Sequence, residues 1–151
     1  MKITIIACGF SIDNGKPTQR GACAAHLSYE DEHDRKATRT ISELVGSSTN
    51  PQCDLKAAIL GLMSVRVGLR KRPIELIASS YVAPILERDG DNYKLNPKKN
   101  LELVKRLREK VALFGDLTVK AGTKDQLRPA LDAAKVAVDT EAGSDSGTVV
   151  L

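Results

Sequence analysis

Asp54 is the acid whose setting most suggests chemistry. It lies in Ser48-Thr49-Asn50-Pro51-Gln52-Cys53-Asp54, where a polar turn runs into apolar residues at Leu55, Ala58, Ile59, Leu62 and Met63. That i, i+3, i+4, i+7, i+8 stripe is the buried face of an amphipathic helix. A carboxylate in the first turn of such a helix is favoured by the positive end of its dipole. Two readings follow: a charge-favoured helix start, or an acid aimed into a site at the end of a sheet. Thr49-Asn50 divides in the same way, between turn chemistry and a phosphate contact. Cys8, Cys23 and Cys53 are odd in number and lack metal-ligand spacing. They read as reduced thiols of an intracellular, most simply cytosolic, protein. His26 and His33 offer no zinc motif.

The elements that must position Asp54 can be read in order. Residues 2–8 are rich in β-branched side chains and form a first strand that Gly9 ends. Asp13-Asn14-Gly15-Lys16-Pro17 is turn chemistry leading to a second strand at 22–29, its antiparallel neighbour. A charged tip at 30–36 precedes a third strand at 37–45. The helix carrying Asp54 runs to about Gly68, with Arg66, Arg70, Lys71 and Arg72 at its end. Residues 74–78 form a buried strand, 79–86 a short serine-capped helix bent near Pro84. A turn follows at 89–92, then an amphipathic helix from Leu101 to Val111, a strand at 116–120 and a last helix over 126–138. Three meandering strands followed by alternating helices and strands argue for an α/β mixed sheet with helices packed on it.

Length and composition limit the whole. At 151 residues the chain suits one domain, placed at 1–139, with a flexible tail over 140–151. Apolar residues are 42% and aromatics only 3%, so the core is aliphatic. A net charge of +4 is compatible with a polyanion partner without establishing one. No apolar run approaches membrane-spanning length, so no membrane role is expected.

These residues carry a resemblance. Residues 49–59 are similar to the threonine-asparagine turn and glutamate-bearing helix of the type 1 ribonuclease H family. Ser79-Ser80-Tyr81-Val82 resembles that family's aspartate-serine-x-tyrosine-valine segment, and Lys98-Lys99-Asn100-Leu101 its lysine-asparagine helix start. From Lys120 to Asp132 the spacing is that of its lysine-glycine-histidine loop and last aspartate. The resemblance covers Met1 to about Val138 and implies a five-stranded ribonuclease H-like sheet. It also implies an enzyme that cuts the RNA of an RNA–DNA hybrid using two metal ions about 3.5–4 Å apart, clamped by four carboxylates. Magnesium and manganese are hard ions that need oxygen ligands.

The resemblance also shows what this chain lacks. The first carboxylate position falls on Cys8 or, with a shift of one, on Ala7, and the third on Ala78 or Ser79; none of these supplies an acid. Asp54 takes the second and Asp132 the fourth, able at most to hold one magnesium or manganese ion loosely, so no cofactor is required. The loop histidine is replaced near Thr123-Lys124-Asp125. Asp13, Asp125, Asp139 and Glu141 are candidate substitutes that would have to fold back into the cleft. The residues matching the family's binding surface are Asn14, Gly15, Thr49, Asn50 and Lys120, whereas the protrusion over 87–96 keeps only Tyr93 as an aromatic. Three functions are then in play. The first is a pseudoenzyme with a degenerate site that binds RNA–DNA hybrid or duplex without efficient cleavage. The second is a protein-interaction module, whose Val149-Val150-Leu151 end adds to a sheet edge. The third is an active metal-dependent ribonuclease with a rebuilt site.

Overall fold

The computed structural model describes residues 1–149. Three long strands open the chain, β1 (Lys2–Ile12), β2 (Arg20–Glu30) and β3 (Lys36–Gly46), paired antiparallel in a meander. Alternation along β1 sends Ile3, Ile5 and Ala7 into one apolar cluster and Ile6, Cys8 and Phe10 into another. Both faces of the sheet are therefore covered. After β3 come α1 (Asn50–Met63), β4 (Pro73–Ala78), α2 (Val82–Ile85) and a small hairpin, β5 (Arg88–Asp89) with β6 (Asn92–Tyr93). The chain continues through α3 (Leu101–Val111), β7 (Asp116–Ala121), α4 (Lys124–Thr140) and β8 (Ser144–Val149). The main sheet is ordered β7-β4-β1-β2-β3-β8, with β4 and β7 parallel to β1 after helical crossovers.

Two helical layers sandwich this sheet. α1 lies against β1 and β2 and packs on α3, burying Leu55, Ala57, Ala58, Leu62, Val104 and Leu107 with the first cluster. The approach is close because α1 turns small residues toward the strands. A Cβ on Gly61 would lie 2.6 Å from Ile5 Cγ2. On the other face α4 crosses β1, β2 and β3 and buries Leu127, Ala130, Ala134, Ala137 and Val138 against Ala22, Ala24 and Ile77.

Several expectations need correction. The sheet has six strands rather than five. Gly9 does not end β1, which β2 pairs all the way to Ile12↔Arg20. Gly9 is instead where α1 crosses the strand, and a Cβ there would lie 2.6 Å from the Asp54 amide nitrogen. Nor does α1 start at Asp54. Thr49 caps it in a reciprocal bond pair with Gln52, so the first turn holds no acid and the dipole argument for Asp54 lapses. It also stops at Met63, five residues short of Gly68, and a single tight turn at Val67–Leu69 follows.

The segment expected to be a flexible tail carries β8, antiparallel to β3 from Ala37↔Val149 to Ser42↔Ser144. β3 offers an otherwise open edge of amides and carbonyls, and β8 occupies it. Arg39 donates to both carboxylate oxygens of Asp145 at 3.0 and 2.7 Å, and the Ser42 and Ser144 hydroxyls meet at 2.9 Å. Gly143 and Gly147 permit the approach, since a Cβ would sit 2.5 Å from Ser42 O and 2.7 Å from Thr38 O. The expected edge-adding end is met here by Val149 alone, and Val150 and Leu151 lie outside the described residues.

Removing residues 144–151 should speed amide hydrogen exchange in β3 at least several-fold while β1 stays protected. Unchanged β3 protection would mean that β8 does not hold this edge. Gly9→Ala should cost about 3 kcal/mol in denaturant unfolding, the upper part of the overpacking range, because backbone rather than a flexible side chain blocks the new methyl.

Candidate functional site

The sheet divides where β1 outruns β4. Their pairing extends from Ile3↔Ile74 to Ile6↔Ile77, whereas β1 continues to Ile12. Beyond that point the β1 amides on the β4 side have no strand partner and need acceptors from elsewhere. α1 supplies them: Gly9 N–H donates to Asp54 Oδ1 at 2.8 Å and Ser11 N–H to Asn50 Oδ1 at 2.9 Å. The match is geometric. Residues four apart on a helix rise about 6 Å, and residues two apart on a strand advance about 6.6 Å. The Ser11 hydroxyl completes the seam by donating to Ser48 O at 2.6 Å.

Around this fork stand Cys8, Asp54, Ala78 and Ser79. Burial pushes the Asp54 carboxyl above its ordinary range, opposed by the Gly9 amide and the nearby Ser79 hydroxyl. The Ser79 hydroxyl also accepts from Val82 N–H at 3.2 Å, starting α2. Burial, reinforced by the Asp54 charge, pushes the Cys8 thiol up to about 12, so it stays protonated at neutral pH. Cys23 and Cys53 are likewise buried and free, pushed up to about 12 and about 11 chiefly by burial. Ala78 is buried and offers no ligand atom.

Asp132 does not join them. The buried residues Leu127, Ala130, Ala134, Ala137 and Val138 mark the face of α4 that meets the sheet. Asp132 is two positions from both Ala130 and Ala134, about 200° around the helix, and is exposed. The candidate replacements fare no better. Asp125 is held by Arg128 at 2.8 Å, Asp139 and Glu141 are exposed, and Asp13 sits in the left-handed turn after β1 at φ 59°. The donor set at the fork, one engaged carboxylate with a neutral thiol, a hydroxyl and a methyl, does not fit a pair of hard divalent cations. Among the described residues no three His, Cys, Asp or Glu side chains are grouped as a metal site requires.

Of the residues matched to a nucleic-acid surface, Asn14 and Asn50 meet at Ser11, whose hydroxyl lies 3.4 Å from Asn14 Oδ1 and whose amide donates to Asn50 Oδ1 at 2.9 Å, while Lys120 lies apart on β7. Thr49 spends its hydroxyl on the Gln52 amide, while Asn50 is exposed and only its carbonyl oxygen is used by Ser11. Asn14 and Gly15 are exposed in the turn after β1, with Gly15 N–H bonded to Gln19 Oε1 at 2.8 Å. Lys120 is on β7 at the register of Ile77, 3.8 Å from Glu75 Oε1.

A polar chain runs from Gln52 Nε2 to Asn100 Oδ1 at 3.3 Å and from Asn100 Nδ2 to the Tyr81 hydroxyl at 3.2 Å, joining the starts of α1, α2 and α3. It borders a cleft of about 490 Å³ walled by Pro51, Tyr81, Pro84, Lys98 and Lys99. Sequence reasoning missed Phe10 and Lys135, whose ammonium lies 5.5 Å from the Phe10 ring centroid beside the fork. The available signal was the spacing of α4, which puts Lys135 on the flank of its buried stripe.

No protein-family model and no curated protein matches the sequence. Solved structures do. The crystal structure of RNase H1 from the halophilic archaeon Halobacterium salinarum NRC-1 superposes with a TM-score of 0.69 at 18% identity, over 93% of this chain and 99% of that one. The N-terminal RNase H domain of Rv2228c from Mycobacterium tuberculosis, in a fusion with maltose-binding protein, gives 0.70 at 18% identity, over 92% and 94%. Foamy viral protease-reverse transcriptase in complex with an RNA/DNA hybrid gives 0.70 at 15% identity, over 91% of this chain and 20% of that one. No helix among the described residues is long and apolar enough to cross a membrane. The chain has the ribonuclease H-like fold, with β8 added outside the five strands that the resemblance implied.

Proposed function

We propose that this protein binds nucleic acid, as RNA–DNA hybrid or duplex, without cleaving it efficiently. The observation that carries this reading is the state of the fork. Its one acid, Asp54, is engaged by the Gly9 amide, and Cys8, Ala78 and Ser79 supply no second carboxylate. Removing acids from a cleft lowers its repulsion of phosphate, so loss of cleavage and retention of binding are compatible. Further support comes from the fold shared with 20% of a foamy viral protease-reverse transcriptase solved with an RNA/DNA hybrid, and from exposed Asn14, Gly15 and Asn50 at the top of β1 and α1. Asp54 then serves as a structural acceptor. Magnesium or manganese is not required, and binding of either is at most weak.

Fluorescence anisotropy of a labelled RNA–DNA hybrid titrated with protein in magnesium, with endpoint samples run on a denaturing gel, tests this directly. Salt-sensitive binding with intact RNA is expected. Shortened RNA would overturn the non-cleaving part. Flat anisotropy at micromolar protein and low salt would overturn binding and turn attention to a protein partner.

The role of Asp54 has its own test, in thermal melts against pH. Its folded pKa is raised above the ordinary 3.8, so the fold disfavours the ionised form. The associated stability is complete below the ordinary value and is lost as pH rises through the folded one. Asp54→Asn retains an acceptor for Gly9 and should melt no lower than wild type at pH 7, with its relative advantage gone at pH 3. Asp54→Ala strands the Gly9 amide and should lose about 1–3 kcal/mol. Addition of magnesium should leave the wild-type melt unmoved; a rise abolished by Asp54→Asn would identify a working metal ligand.

A further inference from the structure

The flank of α4 nearest the fork is cationic where the resemblance led one to expect an acid. At about 100° per residue, Arg128, Leu131 and Lys135 fall on one side of the stripe formed by Leu127, Ala130 and Ala134. Leu131 packs half-buried into the same cluster as Cys8, Phe10 and Ile12, so this flank looks toward the unpaired end of β1. Lys135 is half-buried, its ammonium over the Phe10 ring at 5.5 Å, and its charge is felt by the Cys8 thiol. No carboxylate among the described residues pairs with it within 4.0 Å. Arg128 is exposed and holds Asp125 at 2.8 Å, an i, i+3 pair open to solvent that a phosphate can displace. Asp139, Asp132 and Asp125 follow about 20–60° beyond Arg128 around the helix, and the charges of Asp125 and Asp132 both act on the Arg128 guanidinium, whereas Lys135 lies on the side of Arg128 nearer the sheet.

We propose that Lys135 and Arg128 form a phosphate-binding rail on the α4 side of the fork, with Phe10 holding the Lys135 ammonium in place. The ligand is the phosphodiester backbone of a nucleic-acid strand, so the inference rests on the nucleic-acid reading above and gives that reading a second wall. Seven residues separate the two cations, about 10.5 Å along the helix. That matches roughly three nucleotides at 3.4 Å per nucleotide of one strand, so the cations meet different phosphates. Phe10 acts as a positioning residue through the face of its ring.

The experiment is a salt series of hybrid binding for wild type, Lys135→Ala, Arg128→Ala, the double variant and Phe10→Leu, with thermal melts confirming that each is folded. Each lost phosphate contact should lower the slope of log affinity against log salt by about 0.9, and the double variant by about 1.8. Phe10→Leu, which keeps an apolar side chain in the cluster, should weaken binding in the same direction as Lys135→Ala but by less. Wild-type binding with an unchanged slope in the double variant overturns the rail and leaves the binding function standing. A slope lowered by Lys98→Ala and Lys99→Ala alone has the same meaning and places the strand on the opposite side of the fork. Absence of wild-type binding overturns both the function and the rail.

Discussion

The hydrogen bond from the Gly9 amide to Asp54 Oδ1 joins the central strand β1 to the helix that crosses it. It exists because Gly9 has no Cβ, which lets the α1 backbone come down onto β1, and because β4 stops short and leaves that amide unpaired. The capping pair of Thr49 with Gln52 sets where α1 starts, and the small residues Ala57, Ala58 and Gly61 set how closely it lies. Burial of Asp54 follows from that contact, and so does the upward shift of its carboxyl. An acid held in this way stabilises the seam between helix and strand. The Gly9 amide takes only one of the carboxylate's acceptor sites, so what denies a divalent ion its place here is the lack of a second carboxylate, since Cys8, Ala78 and Ser79 supply none.

The fork itself is a consequence of topology. β1 lies between β2 and β4, with α1 on one face of the sheet and α4 on the other. Strand ends in such a sheet leave a crevice where the crossovers part to opposite sides, and side chains from several elements converge there. In this chain the strand contribution is a neutral thiol, a methyl and a hydroxyl, with negative charge from one helix and positive charge from the other.

Much of this was legible in the sequence, and the exceptions have physical causes. The order of strands and helices followed from periodicity, since two-residue alternation and 3.6-residue stripes survive in an aliphatic core. Gly9 was misread as a strand end because glycine usually breaks a strand; its actual role, close passage of a helix, depends on a contact 45 residues away. Gly143 and Gly147 misled in the same way. Glycine beside serine suggests flexibility, yet here both positions lie against β3 carbonyls that exclude a Cβ. Asp54 was placed in a first turn because Thr49 and Gln52 were not recognised as a capping box, though the spacing was present.

Asp132 was matched by its distance along the chain from Lys120, and that distance takes no account of helix phase. The phase was available in the sequence: Leu127, Ala130, Ala134 and Ala137 fix the buried stripe, and residue 132 lies opposite. The same count puts positions 128 and 135 beside the stripe, and this chain has Arg128 and Lys135 there. A carboxylate pair would need metal ions between itself and a phosphate, whereas an arginine and a lysine meet the phosphate directly. Direct contact supplies affinity without the positioned water and leaving-group stabilisation that hydrolysis needs. On the proposed reading, the cations on one flank of α4 would hold a strand without supplying what its cleavage needs.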